Sequence, residues 1–160
     1  YCCSNFNYIM EFDMINSFRG KYNFLSNFYP VTIYPTDTED LYPDFTYPSV
    51  EHAFQAAKTD SINEKKWIAN AASPVIAKRL GRQVTLRKDW HEIKLGEMIC
   101  LVYEKFKDNN KLQKLLLDTG DEELVEGNNW NDCYWGVCRG RGENHLGKIL
   151  MNIRRKLNDD

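Results

Sequence analysis

The stretch from Tyr47 to Lys58, Y-P-S-V-E-H-A-F-Q-A-A-K, reads as a helix with a marked start and two unlike faces. Ser49 is placed as its N-cap, because the hydroxyl can accept from first-turn amides that have no partner inside the helix. Pro48 discourages an earlier start. Glu51, Gln55 and Lys58 follow at i, i+4 and i+7, a spacing that stacks a carboxylate, an amide and an amine on one stripe. Ala53, Phe54 and Ala57 lie around the other side and supply small and aromatic packing. A solvated face and the lining of a site both use this pattern, and spacing does not separate the two.

Working outward, the segment from Phe18 to Tyr47 is rich in aromatics, Pro, Asn and Thr. V-T-I-Y at 31–34 and D-F-T-Y at 44–47 read as short strands joined by the turn chemistry of P-T-D-T-E-D at 35–40, which together predict a small hairpin or edge sheet. After the Ser49 helix, one is predicted over 63–71 and another between Ser73-Pro74 and Gly81. Asp89 is placed as the cap of a long helix to about Lys107, with Trp90, Ile93, Met98, Leu101, Val102 and Phe106 as its apolar stripe. Asn110 opens a shorter helix closed by Thr119-Gly120, residues 123–126 form a brief strand, and Asn144 caps a final helix to about Leu157. The expected fold is α+β, a predominantly helical single domain over residues 16–160 with a small β hairpin or sheet. A chain that opens on tyrosine is read as one whose first residue is not the translation start. Residues 1–15 are set aside as an N-terminal extension without an assigned role.

Composition narrows the function. The chain has 160 residues, enough to bury a core without disulfides or metal. Its formal net charge of -2 and pI near 6.0 argue against bulk attraction to nucleic acid or an anionic membrane, so any polyanion must be held in a local basic cleft. Five scattered cysteines, Cys2, Cys3, Cys100, Cys133 and Cys138, read as reduced thiols of a cytoplasmic protein. No apolar run approaches the ~18 residues of a membrane span.

Two further segments carry polar and aromatic groups together. In F-R-G at 18–20 and N-F-L-S-N-F-Y-P at 23–30, Arg19 offers a fork for phosphate or carboxylate, Asn27 a donor and an acceptor, and Phe28 a face for a flat ring. An aromatic hairpin with Asn-satisfied turns would look the same. In W-N-D-C-Y-W-G-V-C-R-G-R-G-E-N at 130–144, two tryptophans flank Asp132, and glycines at 136, 140 and 142 precede a helix. That arrangement could form a wall for a base and a nest for phosphate, with Arg139 and Arg141 adding charge, or simply a flexible loop. The glycine spacing departs from the dinucleotide fingerprint. Cys133, Cys138 and His145 lack the paired C-x-x-C spacing of structural zinc, so no metal site is assigned. No cysteine sits in a strand-to-helix elbow of the kind that would mark a nucleophile.

Taken in order, F-L-S-N-F-Y-P, Y-P-S-V-E-H-A-F-Q-A-A-K, G-R at 81–82, D-W at 89–90, K-F at 105–106, L-L-x-T-G at 116–120, L-V-E at 124–126, W-G at 135–136 and N-H-L-G-K-I-L-M-N-I-R at 144–154 resemble the NADAR family, also called YbiA-like proteins. The resemblance runs from about Phe18 to Leu157. It implies an N-glycosidase that needs no cofactor and acts on a ribosyl group joined to nitrogen. The substrate would be a phosphorylated ribosylamino-pyrimidine of riboflavin biosynthesis or an ADP-ribosyl adduct on guanine, with ADP-ribosylated nucleic acid as a possible form of the latter. It places Glu51 and Lys58 as catalytic. Arg19, Asn27, Phe28, Gln55, Trp90, Asp132, Trp135, Gly136 and Asn144 are placed as substrate-binding.

The chemistry of these groups fits that implication. Cleaving a ribosyl C–N bond passes through an oxocarbenium-like state, which a carboxylate near the anomeric carbon can stabilise, or for which it can activate water. Lys58 has two open roles: a partly desolvated amine that attacks the anomeric carbon and forms a Schiff base, or a charged anchor for phosphate and sugar oxygens. A module that binds ADP-ribose without turning it over is the alternative to an enzyme.

Overall fold

The computed structural model describes residues 14–34 and 46–159. In chain order it contains β1 (Met14–Ile15), a 3-10 helix (Gly20–Leu25), α1 (Val50–Ala56), α2 (Ile62–Ala69), α3 (Pro74–Leu80), α4 (Trp90–Lys107), α5 (Asn110–Leu117), β2 (Glu123–Leu124), β3 (Gly127–Asn128), β4 (Val137–Cys138) and α6 (His145–Asp159). Helix dominates, and β1 with β2 and β3 with β4 form two short parallel pairs. The fold is the predicted α+β. No described helix is long and apolar enough to cross a membrane.

Side-chain caps set the helix starts. Ser49, Ser61, Ser73 and Asn109 each accept from the amide three residues on, at His52, Glu64, Ile76 and Leu112. This fixes one amide per helix that would otherwise be unpaired. Two predicted caps are corrected. Asp89 makes no cap bond, because its carboxylate is gripped by Arg87 through Nε at 2.7 Å and Nη2 at 3.0 Å. Asn144 sits at φ 52°, and its amide bonds the chain before β3 instead of the first turn of α6.

α1 packs on α2, α3 and α4, and all seven of its residues are buried. Enclosure on every side uses Val50, Ala53, Phe54 and Ala56 as core and takes the polar residues inside with them. His52 is held as a neutral ring: Nδ1 lies 2.8 Å from Ser49 Oγ, Nε2 lies 3.2 Å from Ala71 O, and burial pushes its pKa down. The predicted hairpin is seen at its base, where Ile33 and Tyr47 pair antiparallel; residues 35–45, including P-T-D-T-E-D, lie outside the described residues. The aromatic segment before it contains a turn of 3-10 helix that sequence periodicity did not announce. Gly20 at φ 57° turns the chain into it, and Phe24 and Leu25 bury its last turn.

Two of the motifs prove to be joints of the fold. Arg154 on α6 donates through Nη1 to Thr119 Oγ1 at 2.7 Å and through Nη2 to Glu122 O at 2.9 Å, locking the turn after α5 onto α6. Met14 and Ile15 pair with Glu123 and Leu124, and Val125 N donates to Ile15 O at 2.8 Å. The start of the described chain thereby braces the segment that leads to Glu126.

Candidate active site

Glu51 and Gln55 lie one turn apart on α1, only 5% and 4% exposed. Gln55 Nε2 donates to Glu51 Oε1 at 2.9 Å, which fixes the carboxyl orientation. Glu51 N donates to Asn27 O at 3.0 Å, and Asn27 Nδ2 reaches Met98 Sδ at 3.3 Å. The segment after the 3-10 helix is thus tied to both α1 and α4. Lys58 lies two residues past the end of α1, half-buried, with Nζ 5.9 Å from the Trp90 ring centroid. A wet stripe is excluded, because burial of the whole helix leaves no solvated face.

The charges around these groups explain their protonation. Burial pushes the Glu51 carboxyl up, while Lys78, the Gln55 amide and Lys58 oppose it and nearby Asp132 adds to it. Burial also pushes the Lys58 amine down; Glu51 opposes this, and Lys78 and Arg82 add to it. A buried carboxyl and a partly desolvated amine within one another's field are the two groups most able to exchange protons with a substrate.

An aromatic wall stands beside them. Phe54 packs on Trp90 with ring centroids 5.0 Å apart and edge-on to Trp135 at 5.3 Å, and Tyr134 continues the row at 4.8 Å from Trp135. Asp132 Oδ1 accepts from Trp135 N at 2.9 Å, and its own N is held by Asn128 Oδ1 at 3.1 Å, so one carboxylate orients the tryptophan turn. Gly136 abuts Glu126, where any Cβ would collide with Glu126 O. Of the outlying predicted residues, Arg19 is exposed, with its guanidinium 5.9 Å from the Trp130 ring. Phe28 is also exposed, with Lys78 Nζ 5.9 Å from its ring. Asn144 is buried and both its amide atoms are engaged by backbone: Oδ1 accepts from Glu126 N at 3.1 Å and Nδ2 donates to Leu124 O at 2.9 Å.

Of the two readings left open for the segment before α6, a phosphate nest and a flexible loop, the backbone bonding does not support the nest. The amides of Glu143, Asn144, His145 and Leu146 donate to the carbonyls of Cys133, Gly136, Tyr134 and Trp135, so the helix start is closed by backbone. Arg139 and Gly140 instead form the tip of a turn in which Cys138 and Arg141 exchange backbone hydrogen bonds. Positive charge is gathered elsewhere: Lys58 and Lys78 face Glu51, Arg82 faces Lys58, and Arg19 faces Glu126. Among the described residues, no three His, Cys, Asp or Glu side chains converge as a metal set.

Lys78, Lys105 and Glu126 are prominent in the structure but were assigned no role from sequence. Lys105 and Glu126 stand inside quoted motifs, K-F and L-V-E, and that is the only signal that marked them. Lys105 is fully buried, donates from Nζ to Ser26 O at 2.8 Å, and is pushed down to about 7 by burial. Burial and then Asp132 push Glu126 up to about 7, and its Oε2 is enclosed without a hydrogen-bond partner.

The NADAR domain profile matches residues 15–158. The chain is 38% identical over 142 residues to a riboflavin biosynthesis protein of Vibrio vulnificus, covering 87% of this chain and 36% of that relative's length. It is 39% identical over 115 residues to the N-glycosidase YbiA of Escherichia coli, covering 70% of this chain and 71% of that one. An N-glycosidase of Nostoc punctiforme is 38% identical over 142 residues, covering 85% of this chain and 86% of that protein. The solution structure of Escherichia coli YbiA superposes with a TM-score of 0.77 at 34% identity, covering 97% of this chain and 90% of that one.

Proposed function

The chain belongs to the NADAR family, and from that premise we propose that it is an N-glycosidase in which Glu51 and Lys58 cleave a ribosyl C–N bond. The observation that carries this is the buried Glu51 carboxyl, latched by Gln55, sharing one field of cations with a Lys58 amine whose pKa is pushed down. The substrate class in this reading is a phosphorylated ribosylamino-pyrimidine, a choice supported by a riboflavin biosynthesis protein among the relatives.

An N-linked ribose on an exocyclic amine can open to an imine at C1. The neutral Lys58 amine adds there, the bond from C1 to the base nitrogen then breaks, and the electron pair leaves with the base. Water hydrolyses the resulting lysine imine, which releases the sugar and restores Lys58. Glu51 stabilises positive charge at C1 and exchanges protons with the amine. Trp90, Trp135 and Phe28 supply flat faces for the base, and Lys78, Arg82 and Arg19 supply charge for phosphate. An ADP-ribosyl adduct on guanine would present a comparable bond to the same groups, with a second phosphate to hold.

Purified protein is incubated with a ribosylamino-pyrimidine phosphate and, separately, with ADP-ribosylated guanine DNA, then treated with borohydride. Base release and a sugar-phosphate mass added at Lys58 are expected with the first substrate. Lys58→Met should lose both, and Glu51→Gln should slow base release by roughly 10²-fold or more. A folded Lys58→Met protein that keeps the parent rate would overturn the assignment.

A further inference from the structure

The reaction as written leaves one step without a protein group: the departing nitrogen must take up a proton. Glu126 shares charged neighbours with Glu51 and has no role in the reaction so far. It lies two residues after β2 and faces Lys78 and Asp132, as Glu51 does.

The backbone of Glu126 is clamped from both sides. Its N donates to Asn144 Oδ1 at 3.1 Å, and its O accepts from Val137 N at 2.9 Å. Gly136, beside the wall residue Trp135, sits flush against its backbone and Cγ, which leaves the side chain little rotational room. At the end of this held side chain, Oε2 is enclosed and has no protein partner, which leaves it for a bound group or an ordered water to meet. Lys105 does not use it up: its Nζ donates to Ser26 O at 2.8 Å, and Oε2 accepts no hydrogen bond from it. The charged groups facing Glu126 are Asp132 from the loop before Trp135, Lys78 from α3, Arg19 from the approach to the 3-10 helix, and Lys105 from α4. Lys78 and Asp132 face Glu51 as well, so two carboxyl groups look onto one shared pair from two walls.

We propose that Glu126 is a further catalytic residue of this site, the proton donor to the leaving nitrogen. The inference rests on the N-glycosidase reading. As the C1–N bond breaks, its electron pair goes to nitrogen, and nitrogen takes the Glu126 carboxyl proton, so the base departs as a neutral amine. The carboxylate left behind accepts a proton from the water that adds to the lysine imine, which returns Glu126 to its starting form. The two carboxyl groups divide the work by environment: Glu51 accepts an amide hydrogen bond and faces Lys78 and Lys58, whereas burial and Asp132 hold the Glu126 proton on to about pH 7.

The test compares two substrates with the same ribose phosphate, a ribosylamino-pyrimidine and a ribosyl-4-nitroaniline, whose weakly basic amine needs little protonation to leave. Glu126→Gln in the full chain should lose roughly 10²- to 10⁴-fold in kcat on the pyrimidine substrate and less than about tenfold on the nitroaniline. The parent rate should fall as pH rises through about 7, and that limb should be missing in Glu126→Gln and restored in Glu126→Asp. Equal losses on both substrates, an alkaline limb that persists in Glu126→Gln, or parent-level turnover by that variant would overturn the proposal. If Glu126→Gln fails to fold, the parent protein decides: the alkaline limb is expected on the pyrimidine substrate and not on the nitroaniline, and the same limb on both would overturn the proposal. A parent protein that releases no base from either substrate would instead sink the N-glycosidase reading.

Discussion

The two walls of the site are built in different ways. On one side, Glu51 and Gln55 ride on α1, a capped helix whose residues are all buried and whose Glu51 N is tied to Asn27 O. On the other, Glu126, Asp132, Trp135 and Gly136 belong to an irregular segment with only two-residue strands, held by side chains that bond distant backbone. The helix positions its carboxyl through secondary structure plus one amide latch. The loop has little ladder beyond the two-residue β3–β4 pair, so Glu126 depends on a distant bond from Asn144, and Asp132 and Trp135 on side-chain bonds within the loop. Removing one polar side chain should therefore cost the loop wall more than the helix wall.

The largest expected effect is at Asn144. Asn144→Ala leaves Glu126 N and Leu124 O unpaired in a buried place, at about 1–3 kcal/mol for each orphaned group. It also puts alanine at φ 52°, which asparagine tolerates better. Chemical denaturation should show the loss in stability, and Glu126-dependent turnover should fall with it. If stability is unchanged, the loop wall is not held in the way described.

Gly81→Ala tests the helix wall. Gly81 has an ordinary helical φ of -62°, so the backbone accepts alanine, but the new methyl would collide with Gln55 Oε1 and Cδ. Gln55 must then swing away and release Glu51. A roughly tenfold or greater loss in kcat is expected, with about 1–3 kcal/mol of destabilisation from overpacking. Retention of full kcat would show that the latch is not needed.

The smallest effect is expected at Lys105, which faces Glu126 of the loop wall. The folded protein pushes this amine from 10.5 down to about 7 and the Glu126 carboxyl from 4.5 up to about 7. For the amine, the depressed value means stability that is present above 10.5 and is lost as pH falls toward 7. For the carboxyl, the raised value means stability that is present below 4.5 and is lost as pH rises through 7. Lys105→Met removes only the first penalty, so it should raise Tm at pH 7 and below, with the gain shrinking toward pH 10. Because Lys105 also favours the Glu126 carboxylate, the alkaline limb of the pH–rate profile should move upward in this variant. A Tm loss that is the same at pH 7 and pH 10 would make Lys105 an ordinary packing residue.

Much of the fold was legible because its signals are local. Ser49 and Ser73 cap as their positions foretell, the long α4 follows its apolar stripe, and the i, i+4 spacing of Glu51 and Gln55 becomes a real hydrogen bond. The misreadings share one cause. Asp89 and Asn144 have the chemistry of caps, but a closer guanidinium takes the first and a backbone pair across the chain takes the second. The glycines before α6 resemble a phosphate nest, yet the amides they precede are filled by carbonyls of residues 133–136.

The sequence by itself determined where helices begin, which residues share a face, and the series of motifs that marks the family. Those properties depend on neighbours within about one or two turns. Only the tertiary structure decided which polar side chains are enclosed: Glu51, Lys105 and the Glu126 carboxyl oxygen owe their shifted protonation to segments far away in the chain. Desolvation and unpaired acceptors are properties of a packed interior, and no spacing along the chain encodes them.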